Sequence, residues 1–340
     1  MKALFYILIF FVIATAFWQI FKILGLTKKD QVATEKENNI NGWLMLGLGA
    51  FIYGLMLYSM VQGRVVLLPQ QSASLEGEDI DKLFVITMGL IIAVQFITQF
   101  LIYYFTFKYR GIKGRKALFY ADSHKLEMWW TIAPTIVLSV LIIYGLWTWN
   151  NVQDLSQSEN PLIIEVYAKQ FQWEARYAGE DNELGVGHVN FIKGINTMGV
   201  DMTDKNSADD IPVRELHLPK GRKVIFKFRS QDVLHSAYMP HFRAQINCVP
   251  GMTTSFGFTP TVTTEEMRLD EDTKAKFDAI NELRLSNGNE ETVEFDYLLL
   301  CNKICGASHY NMQMKVVVQE EEDFNKWLKE QKTLTEVINN

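Results

Sequence analysis

The sequence predicts a chain in two unlike halves: four N-terminal transmembrane α-helices, then an all-β sandwich or barrel. Three observations carry this reading. The 340 residues are 48% hydrophobic, yet the mean hydropathy is zero, so apolar and polar residues are segregated along the chain. Four apolar stretches long enough to span a bilayer all lie before Asn150. After it come only short alternating runs bounded by Gly, Pro, Asn or Asp.

The first stretch, Ala3 to Leu26, makes residues 1–26 a helix. Lys2 ahead of an apolar core also suits a signal peptide, but Lys22 and "TKKD" stand where small residues would mark cleavage, so a retained helix is expected. Residues 42–61, 83–107 and 129–149 supply the other three helices, with Pro134 expected to kink the last. Lys and Arg accumulate on the cytoplasmic side of a membrane. The loop "KYRGIKGRKALFYADSHK" is rich in both, whereas "QGRVVLLPQQSASLEGEDIDK" is net acidic, so the first is inside. Everything after Trp149 is then expected outside, which in a bacterium means a multi-pass protein of the cytoplasmic (inner) membrane with its C-terminal domain in the periplasm.

Residues 160–320 hold the β-patterned runs "LIIEVYAKQFQWEARY", "RELHLPKGRKVIFKFRS", "TTSFGFT", "ETVEFDYLLL" and "MKVVVQ". Two excursions interrupt them. "DMTDKNSADDIP" has the composition of a mobile surface loop, and "TEEMRLDEDTKAKFDAINELRL" has charged, helix-like spacing. Residues 321–340 are expected as an amphipathic helix with Phe324, Trp327, Leu328 and Leu334 on one face.

The chemistry concentrates in "CNKICGASHYNM". Cys301, Cys305, His309 and Met312 fall within twelve residues after a predicted strand, and His235 in "SQDVLHS" ends another run far upstream. Thiolate, imidazole and thioether together form the soft set that favours copper, and a second cysteine allows two thiolates to bridge two ions. A Cys-x3-Cys pair in an exported domain also suits a disulfide. The coincidence of donors favours a metal, and zinc sites neither prefer this spacing nor recruit methionine. Cys248 in "NCVPG" is expected to be a buried thiol.

The motifs "DVLHS" and C-x-x-x-C-G-x-x-H-x-x-M, behind helices carrying "LEMWWTIAPTI", resemble subunit II of the haem-copper cytochrome c oxidases from about Leu83 to Leu328. The resemblance implies a cupredoxin-like fold holding the binuclear copper centre CuA, which takes electrons from cytochrome c and passes them to haem in subunit I. It implies His235 and His309 as terminal imidazoles, Cys301 and Cys305 as bridging thiolates, and Met312 and the backbone carbonyl of Lys303 as weak ligands. Haem and CuB are then expected in the partner subunit I. The family has glutamate between the cysteines, reaching a magnesium ion at the subunit boundary. Lys303 cannot ligate that ion, and with Asn247 where an acid is common, a lysine ammonium is expected in its place.

The resemblance also gives Glu127, ahead of the fourth span, a role in proton uptake at the cytoplasmic edge. Phe171 stands where many members have the tryptophan that receives electrons, with Trp173 two residues on. Expected partners are subunit I, other oxidase subunits, and a cytochrome c or a cytochrome c domain of a neighbouring complex. The two extra N-terminal helices are expected to face a further membrane partner. The outer half carries about 30 acids against about 20 bases, enough to steer a basic donor. No Cys-x2-Cys-His haem attachment occurs, so the donor is expected on another chain, and a net charge of −6 gives no reason to expect nucleic acid.

Overall fold

The computed structural model describes residues 2–26, 33–62, 71–156, 160–289 and 291–339. They divide into two compact units, residues 1–65 with 91–123 and residues 66–90 with 124–340.

The first unit is helical: α1 (Lys2–Leu26), α2 (Glu35–Val61) and the later part of α3 (Leu75–Lys108). α2 starts well before the apolar run at Gly42, because Thr34 and Glu37 cap each other reciprocally. Gly42 and Gly49 are its buried positions, and a Cβ on Gly49 would lie 2.6 Å from the Tyr103 ring of α3. Small residues on one helix face let the two backbones approach closely where no water drives association. Tyr53 Oη donates to the Phe96 carbonyl (2.6 Å) and Arg110 Nε to Asn39 Oδ1 (2.6 Å) across the same contact.

Among the described residues, α2, α3 and α4 (His124–Gln153) are long and apolar enough to cross a membrane, and α1 contributes a shorter apolar stretch, Ile9–Phe21. Each of the three long helices outruns its predicted apolar span, since the polar turns at its ends continue the helix. Pro134 lies inside α4 without ending it.

The second unit is built on two five-stranded sheets. One has β1 (Leu162–Lys169), β2 (Gln172–Tyr177), β3 (Ile211–Val213), β5 (Val224–Ser230) and β8 (Thr254–Phe258) in the order β3-β2-β1-β5-β8. The other has β4 (Leu216–Pro219), β6 (His235–Met239), β7 (Ala244–Cys248), β9 (Tyr297–Cys301) and β10 (Gln313–Gln319) in the order β4-β10-β9-β6-β7. β1 pairs with β5, and β4 with β10, in parallel; the other pairs are antiparallel. The expected two-sheet sandwich follows from alternation. Ile164, Val166 and Ala168 of β1 meet Phe226 and Phe228 of β5 and Leu299 of β9 in one buried core.

Glu165 and Tyr167 point to the opposite face of β1 and are also buried, because the chain between β2 and β3 folds over them. There Arg176 binds Glu165 Oε2 (Nε, 2.7 Å) and Asp210 Oδ2, and donates from Nη2 to the Gly185 carbonyl (2.6 Å). Arg229 closes the chain of charges on Glu165 Oε1 (2.5 Å). Burial opposes ionisation of Glu165, but Arg229 and Arg176 outweigh it and hold the carboxyl below its usual range. The segment expected as a mobile loop is thus fastened at Asp210, and Ser207 beside it is buried.

The second excursion is helical, as its spacing predicts: α5 (Thr264–Leu269) and α6 (Glu271–Ser286). The tail makes two short helices, α7 (Glu321–Lys329) and α8 (Leu334–Asn339). Thr333 and Glu336 cap each other and restart the helix, which moves Leu334 off the face of Phe324. Phe324 joins the main core, whereas Leu334 packs with Tyr167, Met198 and Val200.

Removing one member of a buried charge pair leaves its partner uncompensated, so Arg176→Met should destabilise the β-domain by about 3–5 kcal/mol. Thermal unfolding of the full chain in detergent measures this, and an unchanged transition would contradict it.

Candidate metal centre

His235 opens β6, Cys301 closes β9, and the strands run antiparallel with Ala237 opposite Cys301. This register carries an imidazole to a thiol 66 positions away: His235 Nδ1 lies 3.8 Å from Cys301 Sγ. β9 and β10 form a hairpin around residues 302–312, closed where the Cys301 N–H donates to the Met312 carbonyl (3.1 Å). Inside the loop a single 3₁₀ turn, His309–Asn311, turns the imidazole back over the second cysteine. Cys305 Sγ lies 3.9 Å from Cys301 Sγ, 3.6 Å from His309 Nδ1 and 3.8 Å from Met312 Sδ. The Lys303 carbonyl oxygen lies 3.2 Å from Cys301 Sγ.

Each thiol therefore faces its own imidazole, one adjoins the thioether and the other a carbonyl. The cysteines are free thiols, and the donor atoms of His235, Cys301 and Cys305 all lie within 4.8 Å of one another. His235, Cys305 and Met312 are buried, while Cys301 and His309 are partly exposed. Burial and then the neighbouring Cys301 thiol push the Cys305 thiol up to about 11. Two thiolates so close need a cation beside them, and a soft metal suits every donor present. Cys248, opposite His235 in the β6–β7 register, is buried as expected, and burial pushes its thiol up to about 12.

Two residues of the centre were not singled out from the sequence. Asp232 Oδ1 lies 2.9 Å from His235 Nε2, and a ring proton held there would leave Nδ1, which faces Cys301, able to bind a metal. Burial opposes the charge on Asp232, but bonds from the Gln170 N–H, His235 and the Val233 N–H hold its carboxyl below the usual range. Gln170, in the β1–β2 turn, gives its backbone N–H to Asp232 Oδ2 (2.8 Å) and its side-chain amide to the Cys305 carbonyl. An acid three residues before a histidine in "SQDVLHS" was the available signal for the first; the second had none.

The structure places Phe171 and Trp173 differently. Phe171 is half-buried on the same turn, and a Cβ on Gly306 would lie 2.7 Å from its ring. Trp173 is buried with its ring edge-on to His235 at 6.1 Å, and its indole N–H has no hydrogen-bond partner among the described residues. Lys303 and Asn247 have exposed side chains. Glu127 sits on the first turn of α4, 3.6 Å from His124 Nδ1, at the far end of that helix from the cluster.

A model of the transmembrane domain of cytochrome c oxidase subunit II matches residues 63–147. The alternative cytochrome c oxidase subunit 2 of Bradyrhizobium diazoefficiens is 32% identical over 232 residues, which are 68% of this chain and 72% of that one. The chain belongs to the cytochrome c oxidase subunit II family. Cytochrome c oxidase subunit 2 of Thermostichus vulcanus is 23% identical over 293 residues, 79% of each chain. The periplasmic domain of subunit II of the Bradyrhizobium japonicum oxidase aligns over 51% of this chain and 94% of its own at 18% identity, with a TM-score of 0.31, too low for any inference. As a subunit II, the chain is part of an oxidoreductase complex, and its long apolar helices make it a membrane protein with a β-rich C-terminal domain.

Gly306 has φ +147°, a region that favours glycine, and faces the Phe171 ring. Gly306→Ala should therefore cost about 1–3 kcal/mol and displace the Cys305 loop. Copper-free chain should melt earlier and its Cys305 thiol should react faster with a maleimide; unchanged reactivity would show that the loop tolerates the methyl group.

Proposed function

We propose that this subunit II receives electrons at a binuclear copper centre of the CuA type and passes them to haem in subunit I, for oxygen reduction and proton translocation. The donor is a cytochrome c or a cytochrome c domain of a neighbouring complex. One observation supports this above the others: two free thiols 3.9 Å apart, each facing its own histidine Nδ1. A mononuclear blue-copper site uses one thiolate, and a structural zinc site has no use for Met312.

Cys301 and Cys305 as thiolates, His235 and His309 as neutral imidazoles, and Met312 Sδ and the Lys303 carbonyl as weak donors would hold the two coppers. Bound there, the metal pair would accept and release one electron. The protein's part is to keep the donors still. Cys301 and His235 are held by sheet pairing, Met312 and Cys305 by burial, and the His235 ring by Asp232. Phe171, half-exposed beside Gly306, is the proposed point where electrons arrive. Trp173, sealed behind His235, packs against the imidazole and is proposed to lie inward of that point. The domain's acid excess would attract a basic donor from outside the membrane.

The magnesium ion expected at the boundary with subunit I does not fit the residues present. The Lys303 ammonium and the exposed Asn247 amide provide no carboxylate, so no role is assigned to that ion and the fixed positive charge of Lys303 is proposed to stand there instead.

Loaded full-length chain should hold about two coppers, as the paired thiols require. Cys301→Ser and Cys305→Ser should each abolish the shared-valence spectrum, while Met312→Leu should keep both coppers and shift the potential. One copper with a blue-copper spectrum would defeat the reading. For Glu127, proposed to take up protons at the cytoplasmic edge, Glu127→Ala in the assembled oxidase should slow haem reduction and spare copper reduction; equal slowing of both would reject that role.

A further inference from the structure

The donors of the metal centre come from two separate pieces of chain. His235 and Cys301 stand at strand ends within one sheet, whereas Cys305, His309 and Met312 belong to the β9–β10 loop. The loop closes on itself through Met312 N–H to the His309 carbonyl (3.2 Å) and His309 N–H to the Gly306 carbonyl (3.2 Å). Those bonds shape it but do not fix its height above the strand ends. The β1–β2 turn of the other sheet reaches both pieces. Its Gln170 N–H donates to Asp232, the carboxylate that holds His235, and its side-chain amide donates to the carbonyl of Cys305. Next to it, Phe171 and Gln170 fill the space where a Gly306 side chain would be, with the Gln170 amide nitrogen 2.9 Å from that Cβ position.

We propose that Gln170 is a positioning residue for the metal centre, joining the strand-borne half of the ligand set to the loop-borne half through Asp232 and Cys305. The inference rests on the copper reading in the preceding section, which supplies the reason for holding the halves at fixed separation. The joint itself is made by protein atoms alone. It also gives the turn that carries Phe171 a hydrogen-bonded route of a few atoms to the Cys305 backbone. The β1–β2 turn is thus at once the proposed arrival point for electrons and the brace of the centre.

The test uses full-length chain in detergent, copper-free and copper-loaded, as wild type, Gln170→Ala and Gln170→Glu. A glutamate keeps the length of the side chain but has no hydrogen to give the Cys305 carbonyl, so it separates bonding from space-filling. In copper-free chain, amide hydrogen exchange over residues 305–312 should be several-fold to about tenfold faster in both variants. Exchange in β1 and β5 should be unchanged. The loaded variants should show altered copper hyperfine couplings. Wild-type exchange in Gln170→Glu, or acceleration spread through β1 and β5, would overturn the proposal. Copper content of the wild type is read separately: failure to load two coppers rejects the copper reading, whereas the copper-free exchange still decides the brace.

Discussion

The centre depends on one pairing, the antiparallel register that sets Ala237 of β6 opposite Cys301 of β9. Side chains alternate across a strand, so a slip of one residue would send His235 or Cys301 to the other face of the sheet. The register is held by what flanks it. Ala237, Met239 and Leu299 are buried in the sandwich core, and a one-residue slip would turn them outward. The hydrophobic alternation that folds the domain is therefore also what brings imidazole and thiol together. The loop donors follow from the same hairpin, because the Cys301–Met312 backbone bond fixes where the loop begins and ends.

A cluster of soft donors is costly to bury without a charge to balance its thiolates. The Cys305 thiol is pushed up by burial and by its neighbour, so a metal binding there as to a thiolate would displace a proton. The fold tolerates this by bracing the pocket from outside, with Asp232 on His235 and Gln170 on both Asp232 and Cys305. A centre proposed to carry electrons would gain from such bracing, since a donor set that does not move has little to rearrange on each transfer. The buried charges on the outer face of β1 do comparable work at a distance: Arg176 and Asp210 fasten the segment between β2 and β3 over the sheet that bears the bracing turn.

Much of this was legible in the sequence, and what was not shares a cause. The spans could be read because a bilayer demands length and apolarity of contiguous residues, and the long helices exceed the apolar runs only by capped or polar turns such as Thr34 to Glu37. The soft donors could be read because their chemistry is rare and all but His235 are close in the chain. Asp232 and Gln170 act through one or two hydrogen bonds each, set by where a distant turn lands, and neither residue type is unusual. The fastening of Asp210 was hidden in the same way: a loop rich in Asp, Asn and Ser looks unattached until Arg176 is seen beneath it. The tail's spacing suggests one helix because Leu334 continues the period of Phe324 and Trp327, whereas the reciprocal cap between Thr333 and Glu336 restarts it.

The central claim is that two thiols, each with its own imidazole, form a single site for two metal ions. The measurement that bears on it most directly is electron paramagnetic resonance of the copper-loaded full-length chain after one-electron titration. If the proposed copper pair forms, the spectrum shows the hyperfine pattern of one unpaired electron shared by two equivalent copper nuclei, lost together when either cysteine is replaced by serine. A pattern from one copper nucleus, or one that survives the loss of Cys305, would contradict it.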